Sequence, residues 1–128
     1  MNLLLDTHLL LRAAGEPKRL SRAARRMIED GENELYFSAA SLWEVAINSR
    51  IGRGDFRADV RVLRRSLLDN NYREVQISSE HTVATVDLAP IHKDPFDRVL
   101  IAQARCEGVT LLATDPWVAQ YAGPIKKV

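Results

Sequence analysis

The stretch HKDPFDRVLIAQARCEGVTLLATDP, residues 92–116, combines the signals of a helix with those of a strand. Asp94 followed by Pro95 is a common helix start, and Gly108 is a common helix stop, so the spacing predicts a helix over 95–107. The apolar run VTLLAT, 109–114, then predicts a buried strand. A helix followed at once by a short apolar strand is the unit from which parallel sheets are built.

Similar units fill the rest of the chain. Apolar runs predict strands in NLLLD at 2–6, ELYFS at 34–38, EVQI at 74–77 and, as an edge strand, PIKKV at 124–128. Amphipathic patterns and capping residues predict helices at 20–30, 39–52, 59–71 and 79–88, with a short helix near 116–121. The alternation predicts an α/β fold in which helices cover both faces of a parallel sheet of four to five strands.

Length and composition narrow the class of protein. With 128 residues, 46% of them hydrophobic and 27% charged, the chain is expected to form a single globular domain over 1–128. The apolar runs are too short to cross a membrane, and no signal-peptide pattern opens the sequence, so we expect a cytoplasmic protein. A single cysteine excludes an internal disulfide and a cysteine-based zinc site.

Basic residues are unevenly distributed. The net charge is only +1, yet 14 of the 18 basic residues are arginines, and six of these fall between positions 50 and 65. Arg57, Arg61, Arg64 and Arg65 recur at helical spacing and are expected to share one face. Two interpretations stay open for this face: an ordinary solvated helix surface, or a surface whose guanidinium groups contact phosphates.

Acidic residues fall where parallel sheets place their chemistry. Asp6 ends the first predicted strand, and Asp115 follows the fourth. Asp94 and Asp97 open the helix before that strand, and Glu44 lies early in the helix after the second strand. The carboxyl ends of parallel strands meet at one edge of the sheet, so these acids are expected to converge there.

Four of these acids also have structural interpretations. Asp94 before Pro95 is a favourable helix cap, and Asp97 at the third helical position stabilises the helix dipole. Asp6 and Asp115 each follow a strand, where aspartate commonly forms turns. No one of these residues decides between capping and chemistry, but their convergence favours chemistry.

Glu44 has two possible settings. The pattern from Ser41 to Glu44 matches a capping box, in which Glu44 would bind the start of its own helix. If the helix instead begins after Ser38, Glu44 becomes the one charge among apolar residues of the helix. A carboxylate in such surroundings is costly unless it is paired or bound to a metal ion, which favours function.

Clustered carboxylates select a particular chemistry. They repel one another unless cations neutralise them, and oxygen-only ligands favour Mg²⁺ or Mn²⁺. Such a centre can activate water for phosphodiester hydrolysis. The three histidines, His8, His81 and His92, show no spacing typical of metal ligands, and the sequence contains no nucleophile elbow or glycine-rich phosphate loop.

Four segments taken together resemble the PIN-domain ribonucleases, and more narrowly the VapC-type toxins of type II toxin–antitoxin pairs. They are LLLDTHLLLR at 3–12, SAASLWEVAI at 38–47, HKDPFDRVLIAQA at 92–104 and LLATDP at 111–116. The resemblance implies a three-layer α/β/α sandwich and a Mg²⁺- or Mn²⁺-dependent endonuclease that cuts single-stranded RNA segments. It also implies a homodimer and a cognate antitoxin protein that blocks the site.

The resemblance assigns roles residue by residue. It implies a catalytic and metal-binding set formed by Asp6, Glu44, Asp97 and Asp115, with Thr7 as the small hydroxyl residue after the first acid and Asp94 in support. The sequence departs from the family pattern where tryptophan, lysine and threonine are often found, at Arg12, Asn48 and Ala113.

The expected substrate contacts come from arginine and tryptophan side chains. Phosphate binding is expected from arginines near the cleft, namely Arg98, Arg57, Arg61 and Arg65. Trp43 and Trp117 could stack on bases, although core packing is the expectation for Trp43. The alternative function is a PIN scaffold that binds RNA or an antitoxin without cutting.

Overall fold

Five parallel strands form one sheet in a computed structural model that describes residues 1–52 and 58–128. The strands are β1 (Asn2–Leu5), β2 (Glu34–Ser38), β3 (Arg73–Val75), β4 (Thr110–Ala113) and β5 (Ile125–Lys127). Their order in the sheet is β3-β2-β1-β4-β5, with every neighbouring pair parallel. The predicted parallel sheet is therefore confirmed, and its fifth strand lies at the edge as expected.

Six α-helices connect the strands in the described residues. They are α1 (Thr7–Gly15), α2 (Arg22–Glu29), α3 (Ala39–Arg50), α4 (Val60–Asp69), α5 (Ser79–Ala84) and α6 (Pro95–Glu107). Short 3-10 turns occur at Pro17–Arg19, Thr85–Asp87 and Val118–Gln120. The sequence patterns set no bounds for α1, and the short helix expected at 116–121 is only the last of these turns.

The helices form two layers, one on each face of the sheet. Leu3 and Leu5 of β1 pack into a buried cluster with residues of α1, α2, α3 and α4. Leu4, between them, points into a second cluster with Leu100 and Ile101 of α6, and α5 packs against α6. Side chains of a strand alternate between faces, so a strand that is apolar at every position suits the centre of a sheet covered on both sides.

The start of α3 decides the setting of Glu44. Ser38 is the helix cap, and its hydroxyl accepts a hydrogen bond from the backbone N–H of Ala40 at 3.0 Å. The capping-box interpretation of Ser41 and Glu44 is therefore wrong. Both side chains are buried, Ser41 in the first turn of the helix and Glu44 in the second.

The strand order places the carboxyl ends of β1 and β4 side by side. β1 lies at the centre, with β2 on one side and β4 on the other. The chain therefore builds outward from β1 in one direction and then returns to build in the other, which leaves a crevice at the carboxyl ends of β1 and β4. Among the described residues, no helix is both long and apolar enough to cross a bilayer.

Candidate active site

One cavity, of about 480 Å³, opens at the carboxyl ends of β1 and β4. The acids that line it come from four separate segments of the chain, and they are Asp6, Glu44, Asp94, Asp97 and Asp115. Six further residues complete the lining: His8, Arg12, His92, Thr114, Pro116 and Trp117. The structure thus brings all four predicted site acids and Asp94 to one place.

Asp6 is buried and fixed through both of its carboxylate oxygens. Oδ1 caps α1 by accepting the backbone N–H of Leu9 at 2.8 Å. Oδ2 accepts the backbone N–H of Thr114 at 2.9 Å and lies 3.4 Å from the Thr114 hydroxyl. Burial nevertheless raises the pKa of Asp6 above its ordinary value, because loss of water outweighs these hydrogen bonds. A bound cation would offset that cost.

Thr7 connects Asp6 to Glu44. Its Oγ1 lies 2.6 Å from Glu44 Oε1 and 3.0 Å from Ser41 Oγ. A threonine hydroxyl has one proton and an ionised carboxylate can only accept, so Thr7 donates to Glu44 and the Ser41 hydroxyl is left to donate to Thr7. This buried chain fixes one oxygen of Glu44, and within residues 1–52 and 58–128 no hydrogen bond holds the other, Oε2.

Glu44 is held in an environment that opposes its charge. Burial raises its pKa to about 7, the hydrogen bond from Thr7 lowers it, and the neighbouring charges of Asp94 and Asp97 raise it further. A carboxylate with this pKa changes charge near neutral pH, which is typical of functional sites. The burial expected for Glu44 is thus present, but its surroundings are the hydroxyl of Thr7 and other carboxylates rather than the apolar residues of its own helix.

Asp97 extends from the first turn of α6 toward the histidine of the preceding loop. Its Oδ2 lies 2.8 Å from His92 Nε2. Burial raises the pKa of Asp97 to about 6, and the nearby Asp94 carboxylate adds to the rise, whereas the His92 hydrogen bond lowers it. Asp97 is therefore stabilised as an anion chiefly by His92, in a region where other carboxylates oppose its charge.

Asp94 and Asp115 each cap a turn at the edge of the cavity. Asp94 Oδ1 accepts the backbone N–H groups of Phe96 at 2.8 Å and of Asp97 at 3.4 Å. Asp115 Oδ1 accepts the backbone N–H of Trp117 at 2.8 Å, and its Oδ2 lies 3.6 Å from His92 Nε2. The predicted capping role of Asp94 is confirmed, and both residues also face the acid cluster.

The donor set fits a divalent cation. The described residues contain one group of at least three possible ligands whose donor atoms lie within 4.8 Å of one another, and it consists of His92, Asp94 and Asp97. Asp6, Glu44 and Asp115 line the same cavity but do not belong to this close group. Carboxylate oxygens with one imidazole nitrogen suit a metal such as Mn²⁺ or Mg²⁺. The sequence patterns did not indicate His92, because ligands from a loop and a helix start have no fixed spacing.

Arg98 is engaged within the protein through both terminal nitrogens of its guanidinium group. Its Nη1 donates to the carbonyl oxygens of Ala89 and His92 and to the Tyr121 hydroxyl, at 3.0, 3.3 and 3.1 Å. Its Nη2 donates to the carbonyl oxygens of Thr85 and Leu88 at 3.0 and 3.3 Å. These contacts favour a role in fixing the loop before α6 over the predicted phosphate contact.

Two of the other predicted phosphate contacts, Arg61 and Arg65, do not line the cavity. Arg61 and Arg65 are exposed on α4, and Arg57 lies outside the described residues. Among the arginines that the structure describes, Arg12 of α1 lines the cavity. The signal that could have found it is its spacing of four residues from His8 on a helix capped by Asp6, which places both side chains on one helix face.

Trp43 is not a core residue, contrary to the expectation from the sequence. It is 61% exposed and meets the ring of Phe96 edge-on, with ring centroids 5.4 Å apart. Trp117, which follows β4 and lines the cavity, is 54% exposed. Both indoles are thus accessible, and that of Trp117 lies beside the acids.

The fold and the carboxylate cavity define a PIN-domain protein. The PIN domain family model matches residues 3–124, and the chain belongs to this family. No curated protein sequence matches the chain significantly. The resemblance to the PIN domains suggested by the four sequence segments is therefore confirmed at the level of the family.

Several solved structures share the fold over nearly the whole chain. VapBC2 from Rickettsia felis, bound to a promoter DNA fragment, aligns with a TM-score of 0.71 and 13% identity over 99% of this chain and 98% of that chain. DNA-bound VapBC from Salmonella typhimurium aligns with a TM-score of 0.69 and 12% identity, over 99% of this chain and 98% of that chain. VapC20 from Mycobacterium tuberculosis, a sarcin-ricin loop cleaving toxin, aligns with a TM-score of 0.65 and 16% identity, over 94% of this chain and 96% of that chain. At these identities the similarity shows the fold.

Proposed function

We propose that this protein is a VapC-type toxin, a Mg²⁺- or Mn²⁺-dependent endoribonuclease of a type II toxin–antitoxin pair. The observation that carries the proposal is the convergence of Asp6, Glu44, Asp97 and Asp115 on one cavity at the carboxyl ends of β1 and β4. The pKa values of Asp6, Glu44 and Asp97 are raised by burial, so the charged form of each is destabilised in the metal-free protein and a bound cation would stabilise it.

The acids divide the work of binding the ion and activating water. Asp6 and Asp97 would hold the ion, and Asp115 would complete the set or help to hold a second ion. Glu44 would bind the ion or orient the attacking water. When bound, the cation lowers the pKa of water and stabilises negative charge on the phosphate.

Neighbouring residues position these acids. The hydroxyl chain from Ser41 through Thr7 orients Glu44. Asp94 fixes the first turn of α6 and so the place of Asp97. Because these contacts exist before substrate binds, the acids need little reorganisation during the reaction, which favours electrostatic catalysis.

Exposed aromatic rings support RNA as the substrate. Trp117 lines the cavity, Trp43 packs against Phe96 near the start of α6, and both leave over half of their surfaces accessible. Unpaired bases stack on such rings, and each stacked base contributes about 1–3 kcal/mol. One of the proteins with the same fold is a sarcin-ricin loop cleaving toxin.

The proposed partners follow from the same similarity. Two of the matching structures are VapBC toxin–antitoxin assemblies. By analogy, we expect a cognate antitoxin that covers the acid cavity, a homodimer of this chain and a cytoplasmic location.

The test is cleavage of a mixed RNA pool by the purified protein with Mg²⁺ or Mn²⁺. Asp97→Asn keeps the shape of the side chain and removes its charge, so we expect it to lower the cleavage rate at least a hundredfold. Chelation by EDTA should abolish cleavage. Asp69→Asn, at an exposed acid that ends α4 outside the cavity lining, is the matched control and should cut normally.

Three results would contradict the proposal. Cleavage that persists in EDTA would exclude a metal-dependent reaction. Undiminished cleavage by Asp97→Asn would remove this acid from the reaction. RNA binding without cleavage of any pool, by folded protein, would favour the alternative of a scaffold that binds without cutting.

A further inference from the structure

His92 is placed among the acids of the cavity more closely than any sequence pattern indicated. Its Nε2 lies 2.8 Å from Asp97 Oδ2 and 3.6 Å from Asp115 Oδ2. Together with Asp94 and Asp97, it forms the group of donor atoms that fall within 4.8 Å of one another. The imidazole therefore lies at the place where the carboxylates converge.

The backbone of His92 is fixed on both sides. Its N–H donates to the Tyr121 hydroxyl at 2.8 Å, and its carbonyl oxygen accepts from that hydroxyl and from Arg98 Nη1, each at 3.3 Å. Tyr121 is buried, and Arg98 also binds the carbonyl oxygens of Thr85, Leu88 and Ala89. A loop anchored by this many contacts holds the ring near the acids at little further entropic cost.

The spacing of the donor atoms suits joint coordination of one ion. Octahedral bonds of about 2.1 Å place neighbouring ligand atoms about 3 Å apart. The 2.8 Å separation of His92 Nε2 and Asp97 Oδ2 is close to that value. With small movements, His92 Nε2 and Asp97 Oδ2 could exchange their mutual hydrogen bond for bonds to one shared cation.

We propose that His92 is a direct nitrogen ligand of the metal centre, which makes the centre a mixed imidazole–carboxylate site that prefers Mn²⁺ to Mg²⁺. The inference rests on the metal dependence within the proposed function. Imidazole is a suitable ligand for transition metals, whereas Mg²⁺ favours carboxylate and water oxygens. The preference between the two ions is thus set by one residue that lies outside the four acids.

The experiment is pulsed electron paramagnetic resonance of the full chain with Mn²⁺ alone, without RNA. Modulation of the bound Mn²⁺ signal by a directly bonded ¹⁴N nucleus is expected in the wild-type protein. His92→Asn should remove the modulation. His8→Asn, at the other histidine that lines the cavity, is the matched control and should retain it.

A titration with each ion gives a second readout. His92→Asn is expected to raise the Kd for Mn²⁺ about tenfold or more, and to raise the Kd for Mg²⁺ less, so that the preference for Mn²⁺ declines. Tyr121→Phe removes one anchor of the His92 backbone without changing a ligand. It should weaken Mn²⁺ binding by a smaller factor and keep the ¹⁴N modulation.

The outcomes separate this inference from the proposed function. Bound Mn²⁺ without ¹⁴N modulation would show that His92 only hydrogen-bonds Asp97, which overturns the inference and leaves a carboxylate centre intact. Modulation lost in His8→Asn instead would assign the nitrogen to the other histidine and overturn it as well. No binding of Mn²⁺ at all would overturn both the inference and the metal dependence of the proposed function.

Discussion

Asp94 shows how one side chain can serve both helix structure and a charged site. Its Oδ1 accepts the backbone N–H of Phe96 and caps α6, a contact that typically contributes about 1 kcal/mol. A carboxylate has further acceptor sites, and a donor atom of Asp94 also belongs to the close group with His92 and Asp97. Capping therefore does not argue against a functional role at this position.

The charged forms of the buried acids are predicted to reduce the stability of the metal-free protein. Burial raises the pKa of Asp97 to about 6 and that of Glu44 to about 7, whereas aspartate and glutamate in an unfolded chain titrate near pH 4. Between these values the folded state holds more protons, so its free energy of unfolding falls as pH rises. The loss is expected from about pH 4 to 6 for Asp97, and to about 7 for Glu44.

Replacing either charge with a neutral amide should therefore stabilise the metal-free protein at pH 8. We expect Asp97→Asn or Glu44→Gln to raise the free energy of unfolding by about 1–3 kcal/mol at pH 8 and to change it little at pH 4. Urea denaturation in EDTA at both pH values measures this. Equal effects of the substitution at the two pH values would contradict the argument.

At the scale of elements, the start of α6 and the loop before it form one unit. α6 carries Asp97 in its first turn, and the next residue, Arg98, binds four backbone carbonyl groups between positions 85 and 92. The loop in turn presents His92 to Asp97. The helix thus fixes the loop that completes its own part of the site.

Arg98 is predicted to contribute to stability, whereas the arginines of α4 are predicted to affect RNA binding if they contact phosphates. Arg98→Lys replaces a planar five-donor group that contacts five acceptors, so it should lower the free energy of unfolding by about 1–3 kcal/mol. Since its guanidinium group is already engaged, the salt dependence of RNA binding should be unchanged. Urea denaturation and fluorescence anisotropy between about 50 and 200 mM salt measure the two effects.

The matched variant is the double charge reversal Arg61→Glu with Arg65→Glu on the exposed face of α4. If that face contacts phosphates, RNA binding should weaken and its salt dependence should flatten, while stability changes little. Binding can be measured in the Asp97→Asn background to prevent cleavage. An unchanged salt dependence would return these residues to an ordinary solvated surface.

At the scale of the whole molecule, the central strand joins the core to the site. Leu3, Leu4 and Leu5 of β1 are fully buried, and they pack alternately toward the two helical layers. Asp6 follows directly, and its backbone N–H donates to the Leu112 carbonyl of β4 at 3.0 Å. The position of Asp6 is therefore fixed by the packing of both layers.

Shortening the central leucine should test how much the packing of β1 contributes to stability. Leu4→Ala is expected to lower the free energy of unfolding by about 2–5 kcal/mol, because it leaves a cavity in a strand covered on both sides. Val83→Ala, at a residue of α5 that is 68% exposed, should change it by less than about 0.5 kcal/mol. Similar losses in both variants, measured by urea denaturation, would show that burial in the second cluster does not dominate stability.

The sequence alone determined most of the fold and the acids of the candidate site. Short apolar runs alternating with capped amphipathic helices require a parallel sheet, because each strand must be covered on both faces. The topology rule then placed Asp6 and Asp115 at the same edge. Local signals such as Asp94–Pro95 and Gly108 set the ends of α6, because caps depend only on neighbouring residues.

Only the tertiary structure decided which other side chains join those acids. His92 reaches the cavity from a loop, which no local pattern indicates. The spacing of Arg12 from His8 puts these side chains on one helix face, but only the packing of the fold turns that face to the acids. Trp43 is exposed although its neighbours in sequence are largely apolar. Arg98 was expected to contact phosphates, but its guanidinium group donates to carbonyl oxygens of the protein. Contacts between residues far apart in the chain depend on how the layers pack, and packing is a property of the whole fold.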